Sequence, residues 1–392
     1  MKRVCFLIDS IFSIGGVQRV TAVIAKELAK NYDVTIVTFD NPEIKDTSLY
    51  GLNEDNINYR FFTYPPKKSL KRNVCKAYSG LYLKLQPKSQ FFSDVYAKSS
   101  FPSELRNALA IELREGHYNV IIGVHAPLAA RLATLKGQLH GAMIIGWIHN
   151  SFEALFDKSS LYIGAERKRH YVSQFRKLDN VIVLCQHDAE SYQQYDAHLH
   201  PTVIYNPLTL KPGKASEGTS KRFLAVGRFS HKHKGFDILI EAFHLFAKLD
   251  KEWKLDIVGE GIEETLYRSL IEKYQLKDRV LIHPFTNNIQ DYYSKAQIYV
   301  LSSRWEGFGL VLVEAMAHGL PVISSDIPTS QEIMGDFGIY FKNEDIKDLS
   351  QKLMEATQID WPSKSKEAIT IARRFNTETI IQQWRSILEE NC

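Results

Sequence analysis

Ser302-Ser303-Arg304-Trp305-Glu306-Gly307-Phe308-Gly309-Leu310-Val311-Leu312-Val313-Glu314-Ala315-Met316-Ala317-His318-Gly319-Leu320-Pro321-Val322-Ile323 is the densest signal in the chain. An apolar strand-like run, Ile298 to Leu301, leads into it. A Gly-x-Gly turn at Gly307 and Gly309 then opens a helix over Leu310 to His318, and a new strand starts at Val322. Glycines let a backbone approach a ligand closely, and the free N–H groups of a helix start favour a phosphate. Glu314 falls among apolar helix residues that should be buried. A carboxylate is expensive there without partners, and the vicinal hydroxyls of a ribose would supply them. Strand, tight turn, helix and strand together make one unit of an α/β fold.

The same alternation runs outward in both directions. Upstream, strand-like runs stand at Val4 to Ile8, Val34 to Phe39, Asn119 to Val124, Met143 to His149, Val181 to Cys185 and Val203 to Tyr205, with a helical period over Val17 to Lys30. Between Asn206 and Lys221 the chain is rich in Pro, Gly, Ser and Lys and has no apolar period, which reads as a linker. Beyond it come strand Phe223 to Val226, helix Phe236 to Leu249, strand Leu255 to Val258, helix Glu263 to Tyr274 and strand Val280 to His283. Strands separated by helix-length segments predict parallel sheets with crossover helices. The 392 residues exceed one ordinary core. The expectation is therefore two Rossmann-like α/β domains, 1–205 and 222–375, joined by 206–221. The terminal helix, Thr377 to Glu390, lies in a segment 376–392 expected to pack back on the first domain. Two such domains facing across a cleft would bind ligand where strand C-termini meet helix N-termini.

Composition bounds the function. Hydrophobic residues at 44% and charged residues at 24% describe a globular protein. Only five apolar residues separate Met1-Lys2-Arg3 from Asp9, too few for a signal peptide or a membrane span. The cysteines Cys5, Cys75, Cys185 and Cys392 are scattered, with no Cys-x-x-Cys pair. Neither a disulfide framework nor a zinc site is indicated, and a cytoplasmic location is expected. A net charge of +4 does not argue for nucleic acid. The pairs His231-x-His233 and His198-x-His200 have no accompanying carboxylate or thiol cluster and read as loop residues. No Asp-x-Asp triplet occurs, and Gly15-Gly16-Val17-Gln18-Arg19 does not have Gly-x-Gly-x-x-Gly spacing, which disfavours a nicotinamide or flavin site.

Glu306 and Glu314 are eight positions apart, and a second cluster, Val226-Gly227-Arg228-Phe229-Ser230-His231-Lys232-His233-Lys234-Gly235-Phe236-Asp237, runs from a strand end into a helix. Taken alone, this cluster would be a solvated basic loop. Together the two stretches resemble the retaining GT-B glycosyltransferases of family GT4, those of bacterial capsule, lipopolysaccharide and exopolysaccharide synthesis among them. The resemblance is strong from Phe223 to Met334 and weak in the first half.

The resemblance implies a set of roles. Glu306 would face the donor sugar hydroxyls, the backbone at Phe308, Gly309 and Leu310 would contact the sugar and distal phosphate, and Glu314 would hold the ribose. Gly227 would belong to the diphosphate turn, where Arg228 forks onto phosphate oxygens and Lys234 adds a compact charge. Gly259, in Ile257-Val258-Gly259-Glu260-Gly261, would lie near the nucleotide, and the backbone at Phe285 would contact the base. Short turns of this kind also occur for purely structural reasons. Gly15 and Gly16 would lie against the donor phosphates and the acceptor. His149 would stand beside the donor sugar, although an isolated histidine is more often a hydrogen-bonded structural residue. No cofactor or metal is implied, since Arg228, Lys234 and helix ends would neutralise the leaving diphosphate.

The activity so implied is transfer of a hexose or N-acetylhexosamine, with retention, from a nucleotide sugar to a hydroxyl of a lipid-linked or glycan acceptor. UDP is the preferred nucleotide. Another reaction on the same fold, by a sugar synthase or a phosphorylase, and an inert nucleotide-binding partner of a second transferase stay open.

Asn56 to Ser93 contains no Asp or Glu, while Arg60, Lys67, Lys68, Lys71, Arg72, Lys76, Lys84 and Lys88 alternate with tyrosines, leucines and phenylalanines. Cations near an anionic bilayer contribute about 1 kcal/mol each, and aromatic rings prefer the headgroup level. Peripheral docking to a membrane is one reading, and a solvated charged face is the other. Tyr50 to Ser100 matches no motif and is expected to carry acceptor specificity.

Overall fold

The structure, a computed structural model, describes residues 1–52, 56–65, 71–85, 89–157, 160, 162–230 and 233–389, the side chains of 71–74 excepted. The chain divides into two compact units, Met1–Pro207 with Ile380–Cys392, and Leu208–Thr379.

The first unit is built on strands β1 (Arg3–Ile8), β2 (Asp33–Thr38), β3 (Ile57–Phe61), β4 (Val120–Val124), β5 (Met143–Trp147), β6 (Asn180–Val183) and β7 (Thr202–Val203). They form one parallel sheet in the order β3-β2-β1-β4-β5-β6-β7. A parallel sheet covered on both faces needs strands that are apolar at consecutive positions. In β1, accordingly, Val4 to Ile8 are all buried, as are all of Val120 to Val124 in β4. Helices α1 (Gly16–Ala29), α2 (Lys71–Leu85), α3 (Gln90–Ser100), α4 (Ser103–Glu115), α5 (Ala126–Leu135), α6 (Phe152–Phe156), α7 (Lys168–Phe175) and α8 (Gln186–Tyr195) complete the unit. Helix α1 buries Val20, Thr21, Ile24, Ala25 and Leu28, the single face that its helical period predicts.

The second unit carries β8 (Arg222–Val226), β9 (Lys254–Val258), β10 (Val280–His283), β11 (Ile298–Leu301), β12 (Val322–Ser325) and β13 (Ile339–Phe341). Their order is β10-β9-β8-β11-β12-β13, again parallel. Its helices are α9 (Phe236–Leu249), α10 (Glu264–Lys273), α11 (Gln290–Lys295), α12 (Leu310–Ala317), α13 (Pro328–Met334), α14 (Ile346–Ala356) and α15 (Trp361–Ala372). The last helix, α16 (Thr377–Glu389), buries Ile380, Ile381, Trp384, Ile387 and Leu388. Within the first unit, Trp384 meets Trp147 of β5 edge to face at 4.8 Å, and Lys2 donates to the Leu388 carbonyl at 2.7 Å.

One expectation needs correction. The stretch 206–221 is not a free linker, because from Leu208 onward it is laid along the second unit. Leu208 N–H donates to Phe375 O at 2.7 Å, Gly213 N–H to His318 Nε2 at 3.2 Å and Ser216 N–H to His318 O at 3.0 Å. The segment is held by backbone groups and small residues, so it leaves no apolar period to read. Strands β3 and β13 also escape that period, since β3 fully buries only Ile57 and β13 only Phe341.

Candidate functional site

In the second sheet the chain leaves β8 toward β9 and β10 on one side, then returns to β11 on the other. The turns after β8 and β11 therefore open at a switch point, where open α/β sheets bind ligands. Both turns end in a left-handed glycine that starts a helix, Gly235 at φ 62° before α9 and Gly309 at φ 77° before α12. Neither start has a side-chain cap, which leaves first-turn N–H groups for an anion. A Cβ on Gly235 would come within 1.9 Å of Ser302 O, so only glycine lets the two turns meet.

The turns are stitched together. Arg304 N–H donates to His233 O at 2.8 Å, Ser302 Oγ to Lys234 O at 2.8 Å, and His233 Nε2 to the Trp305 carbonyl at 2.6 Å. The His233 ring lies flat on Trp305, 4.8 Å between centroids. Arg304 forks onto both Asp237 carboxylate oxygens at 3.0 and 2.9 Å.

At the centre, Lys234 Nζ sits 2.6 Å from Glu306 Oε1, which also accepts from Ser303 Oγ at 2.6 Å, and His233 Nε2 lies 3.9 Å from Glu306 Oε2. Glu306 is only 7% exposed. Burial works to raise its pKa, but the Lys234 and His233 charges and the hydrogen bonds from Lys234 and Ser303 outweigh it and hold the carboxyl below its ordinary value. Glu314 is buried too; its Oε2 accepts from Tyr293 Oη at 3.0 Å and its Oε1 from Thr209 Oγ1 at 3.5 Å. His318 fixes the end of α12, donating from Nδ1 to Glu314 O at 2.7 Å and accepting at Nε2 from Gly213.

The structure thus brings Lys234, Glu306, Gly227, Gly309 and Leu310 to one pair of turns. Arg228 is exposed on the first of them, and Phe285 is exposed just past β10. Phe308 is buried edge to face on Phe375 at 5.6 Å. Gly227 lies under the Lys234 alkyl chain, and a Cβ on Gly259 would come within 1.9 Å of Gly227 O. The smallness of Gly259 is thereby explained by packing between neighbouring strand ends. His231 lies outside the described residues. His233, read from sequence as a loop residue, stands against Glu306 and Trp305, and burial lowers its pKa although Glu306 pulls the other way. Its adjacency to Lys234 was the available signal.

In the first sheet the order reverses between β1 and β4. After β1, Asp40 accepts from Ile11 N–H at 2.8 Å and Phe12 N–H at 3.3 Å and so pins the turn. The Gly15 N–H, expected against phosphate, is taken by Tyr50 Oη at 2.9 Å, while Gly16 opens α1. After β5, His149 is 7% exposed, its ring 4.2 Å from Trp147 and 5.3 Å from His125, and its Nε2 is buried without a hydrogen-bond partner. Burial, then the His125 ring, push the His149 pKa well below the usual imidazole value. Burial lowers His125 to about 4.

Sequence reading passed over His125. It caps α5 at φ 77° and ψ 153°, a conformation that costs a residue with a side chain about 1–3 kcal/mol. Asp188 was missed as well. Burial raises it to about 7, and it accepts from Phe152 N–H at 2.7 Å, holding the chain three residues past His149. Nothing in the pattern around either residue marks it, because strain and long-range hydrogen bonds have no sequence period.

A family model described as Glycosyltransferase Family 4 matches residues 14–211, and one described as Glycosyl transferases group 1 matches 209–375. The amylovoran biosynthesis glycosyltransferase AmsD of Erwinia amylovora is 26% identical over 403 residues, covering 99% of this chain and all of that protein. The solved structure of TarM is similar with a TM-score of 0.77 at 16% identity, over 99% of both chains. Anabaena HepE, solved with UDP and glucose, is similar with a TM-score of 0.74 at 19% identity, over the full length of both. These likenesses show the GT-B fold.

Proposed function

The chain belongs to the family 4, group 1 glycosyltransferases, and we propose that within this family it moves a hexose or N-acetylhexosamine from a UDP-sugar to a hydroxyl of a lipid-linked or glycan acceptor, with retention, in cell-surface polysaccharide synthesis. The observation that carries the donor half is the Lys234–Glu306 pair at the switch point of the second sheet, with Glu314 buried eight residues on. Glu306 is held ionised, so its oxygens accept from sugar hydroxyls. Lys234 and Arg228, with the uncapped starts of α9 and α12, would neutralise the departing diphosphate without a metal. The departing phosphate would take the proton of the incoming hydroxyl, giving attack on the face it leaves. HepE's crystallisation with UDP supports the choice of nucleotide, and AmsD's name supports the biosynthetic setting.

The membrane reading belongs here as well. Lys67, Lys68 and Lys88, and the side chains of Lys71 and Arg72, lie outside the described residues. The described part of α2 and α3 exposes Leu81, Leu85, Phe91 and Phe92 beside exposed Lys76 and Lys84. Among the described residues no helix is long and apolar enough to cross a membrane. We assign this face to peripheral contact with an anionic bilayer. Flotation with anionic vesicles should fall on replacing Phe91 with Ser and Lys84 with Glu, and unchanged flotation rejects the contact.

The donor test is calorimetry and nucleoside diphosphate release with UDP-, GDP- and ADP-sugars on wild type and Glu314→Ala. We expect UDP-sugars alone to bind, with at least tenfold loss in the variant. Selective GDP- or ADP-sugar binding overturns the nucleotide, and NMR of the product linkage showing inversion overturns retention.

A further inference from the structure

We propose that His233 is a positioning residue for the donor sugar, its ring N–H coupling the turn after β8, which carries the phosphate-binding cations, to the carboxylate that faces the sugar hydroxyls. This rests on the donor reading above and goes beyond it, since His233 has no part there. The turn that carries Glu306 presents four successive carbonyls, Ser303 to Glu306, and a side chain donates to each. Ser325 Oγ reaches Ser303 O at 2.6 Å, Asn343 Nδ2 reaches Arg304 O at 2.9 Å, and Thr329 Oγ1 reaches Glu306 O at 3.0 Å. Those three donors come from β12 and the segments that follow it. The fourth, His233 Nε2 to Trp305 O at 2.6 Å, is the one that comes from the turn after β8. The main chain of His233 is fixed as well, its N–H donating to Ser230 O at 3.1 Å and its carbonyl accepting from Arg304 N–H at 2.8 Å. Its ring lies on the Trp305 indole with 11° between the planes, which gives the ring N–H a single direction.

The chemistry decides what this tether controls. Burial lowers the His233 pKa against the pull of Glu306, so the ring is neutral at pH 7 and has one N–H, which Trp305 O takes. Glu306 Oε1 is filled by Lys234 Nζ and Ser303 Oγ, both at 2.6 Å. Oε2 stands 3.9 Å from His233 Nε2, past hydrogen-bonding distance, and among the described residues it accepts from none. It is the oxygen left for a sugar hydroxyl. Its place depends on the Trp305 peptide directly before Glu306, and a misplacement of about 1 Å can cost roughly 100-fold in rate. The ribose contact read for Glu314 lies eight residues on, in α12, and does not pass through this tether.

Two variants of the full-length protein separate the tether from the stack. His233→Phe keeps an aromatic ring beside Trp305 and has no N–H to give, whereas His233→Gln keeps a side-chain N–H and has no ring. UDP affinity is measured by calorimetry, and kcat/KM is measured as nucleoside diphosphate release from UDP-glucose, UDP-galactose, UDP-N-acetylglucosamine and UDP-N-acetylgalactosamine. Melting temperature checks the fold, and His233→Leu, equally without a donor, replaces His233→Phe if that variant does not fold. We expect the donor-free variant to bind UDP within about twofold of wild type while kcat/KM for the preferred UDP-sugar falls about tenfold or more. His233→Gln should recover most of that loss. Wild-type kcat/KM in the donor-free variant, an equal loss in His233→Gln, or a parallel loss of UDP affinity each overturns the proposal. Absence of wild-type binding heat with UDP and every UDP-sugar is a separate failure, that of the donor reading, and the proposal falls with it.

Discussion

Lys234 and Glu306 meet at 2.6 Å where the second sheet changes direction, whereas His125 and His149 stand 5.3 Å apart beside the reversal of the first. The backbone plan is the same in both places: parallel strands ending at a turn that feeds a helix. The side chains differ in charge and in how they bear burial. In the second unit a carboxylate buried to 7% exposure stays ionised because a lysine, a histidine and a serine surround it. In the first unit the imidazoles have no carboxylate against them in the described geometry, and burial leaves them neutral. The two reversals thus share a backbone plan while their turn residues differ in charge, and it is the residues of a site, not the fold, that select a ligand.

The sharpest way to break this contrast is Lys234→Met. The substitution leaves the Glu306 carboxylate buried against Ser303 and His233, and an uncompensated buried charge costs about 3–5 kcal/mol. On the proposed reading, transfer should fall roughly 100-fold or more, since a charged contact to the leaving phosphates would be lost as well. Combining it with Glu306→Gln should restore the melting temperature and leave transfer low. Wild-type turnover in the single variant would remove the cationic site from the comparison.

Next in size is Gly235→Ala. At φ 62°, with Ser302 O only 1.9 Å from the new Cβ, the turn after β8 must move off the turn that carries Glu306. The loss should exceed about 1 kcal/mol and appear in both thermal stability and donor affinity. Gly80→Ala is the control, because in α2 nothing lies within 4 Å of its Cβ. A helix interior there should gain about 0.5–1 kcal/mol. Equal effects at the two glycines would mean that Gly235 does not hold the turns together.

Legibility in the sequence follows the same division. The run Ile298 to Ile323 predicted strand, turn, helix and the start of a strand, and β11, Gly309, α12 and the start of β12 lie there in that order. In the second unit the candidate site is local in sequence, with Arg228, Lys234, Glu306 and Glu314 all within two strand–turn–helix segments, so the residues could be grouped before the fold was seen. Tyr293 and Thr209 around Glu314 could not, because they arrive from other elements through hydrogen bonds that no spacing encodes. In the first unit His149 was reached by resemblance, while His125, 24 residues earlier, becomes its neighbour only when β4 pairs with β5. The α2–α3 pair was missed for a different reason. It exposes Leu81, Leu85, Phe91 and Phe92, so its apolar residues do not trace one buried face.

A pH series sharpens the neutral half of the comparison. His125 has its folded pKa lowered to about 4 from an ordinary 6.5, so between those values the unfolded chain binds a proton that the folded chain does not. Stability contributed by the neutral ring is then full above about 6.5 and is lost as pH falls toward 4, at about 1.4 kcal/mol per pH unit at most. Asp188, raised to about 7 by burial, works with the opposite sign, which makes a variant difference more telling than an absolute curve. The melting temperature of His125→Gly relative to wild type should therefore rise between pH 7 and pH 5. A difference that does not change with pH would mean that the His125 ring takes up its proton in the folded protein at the same pH as in the unfolded chain.

The smallest expected effect is that of Tyr50→Phe, and it tests whether the first unit also cradles phosphate. Tyr50 Oη accepts the Gly15 N–H at 2.9 Å and lies 3.1 Å from Ser13 O. Its removal should cost about 0.5–1.5 kcal/mol of local stability, read as faster hydrogen exchange at the Gly15 amide. With that N–H already occupied in the folded turn, the comparison expects UDP and pyrophosphate affinities to stay where they were. Tighter binding in Tyr50→Phe would show the freed Gly15 N–H reaching an anion. That would return Gly15 to the phosphate contacts which the family resemblance implies, and the two switch points would then share a ligand chemistry instead of dividing it.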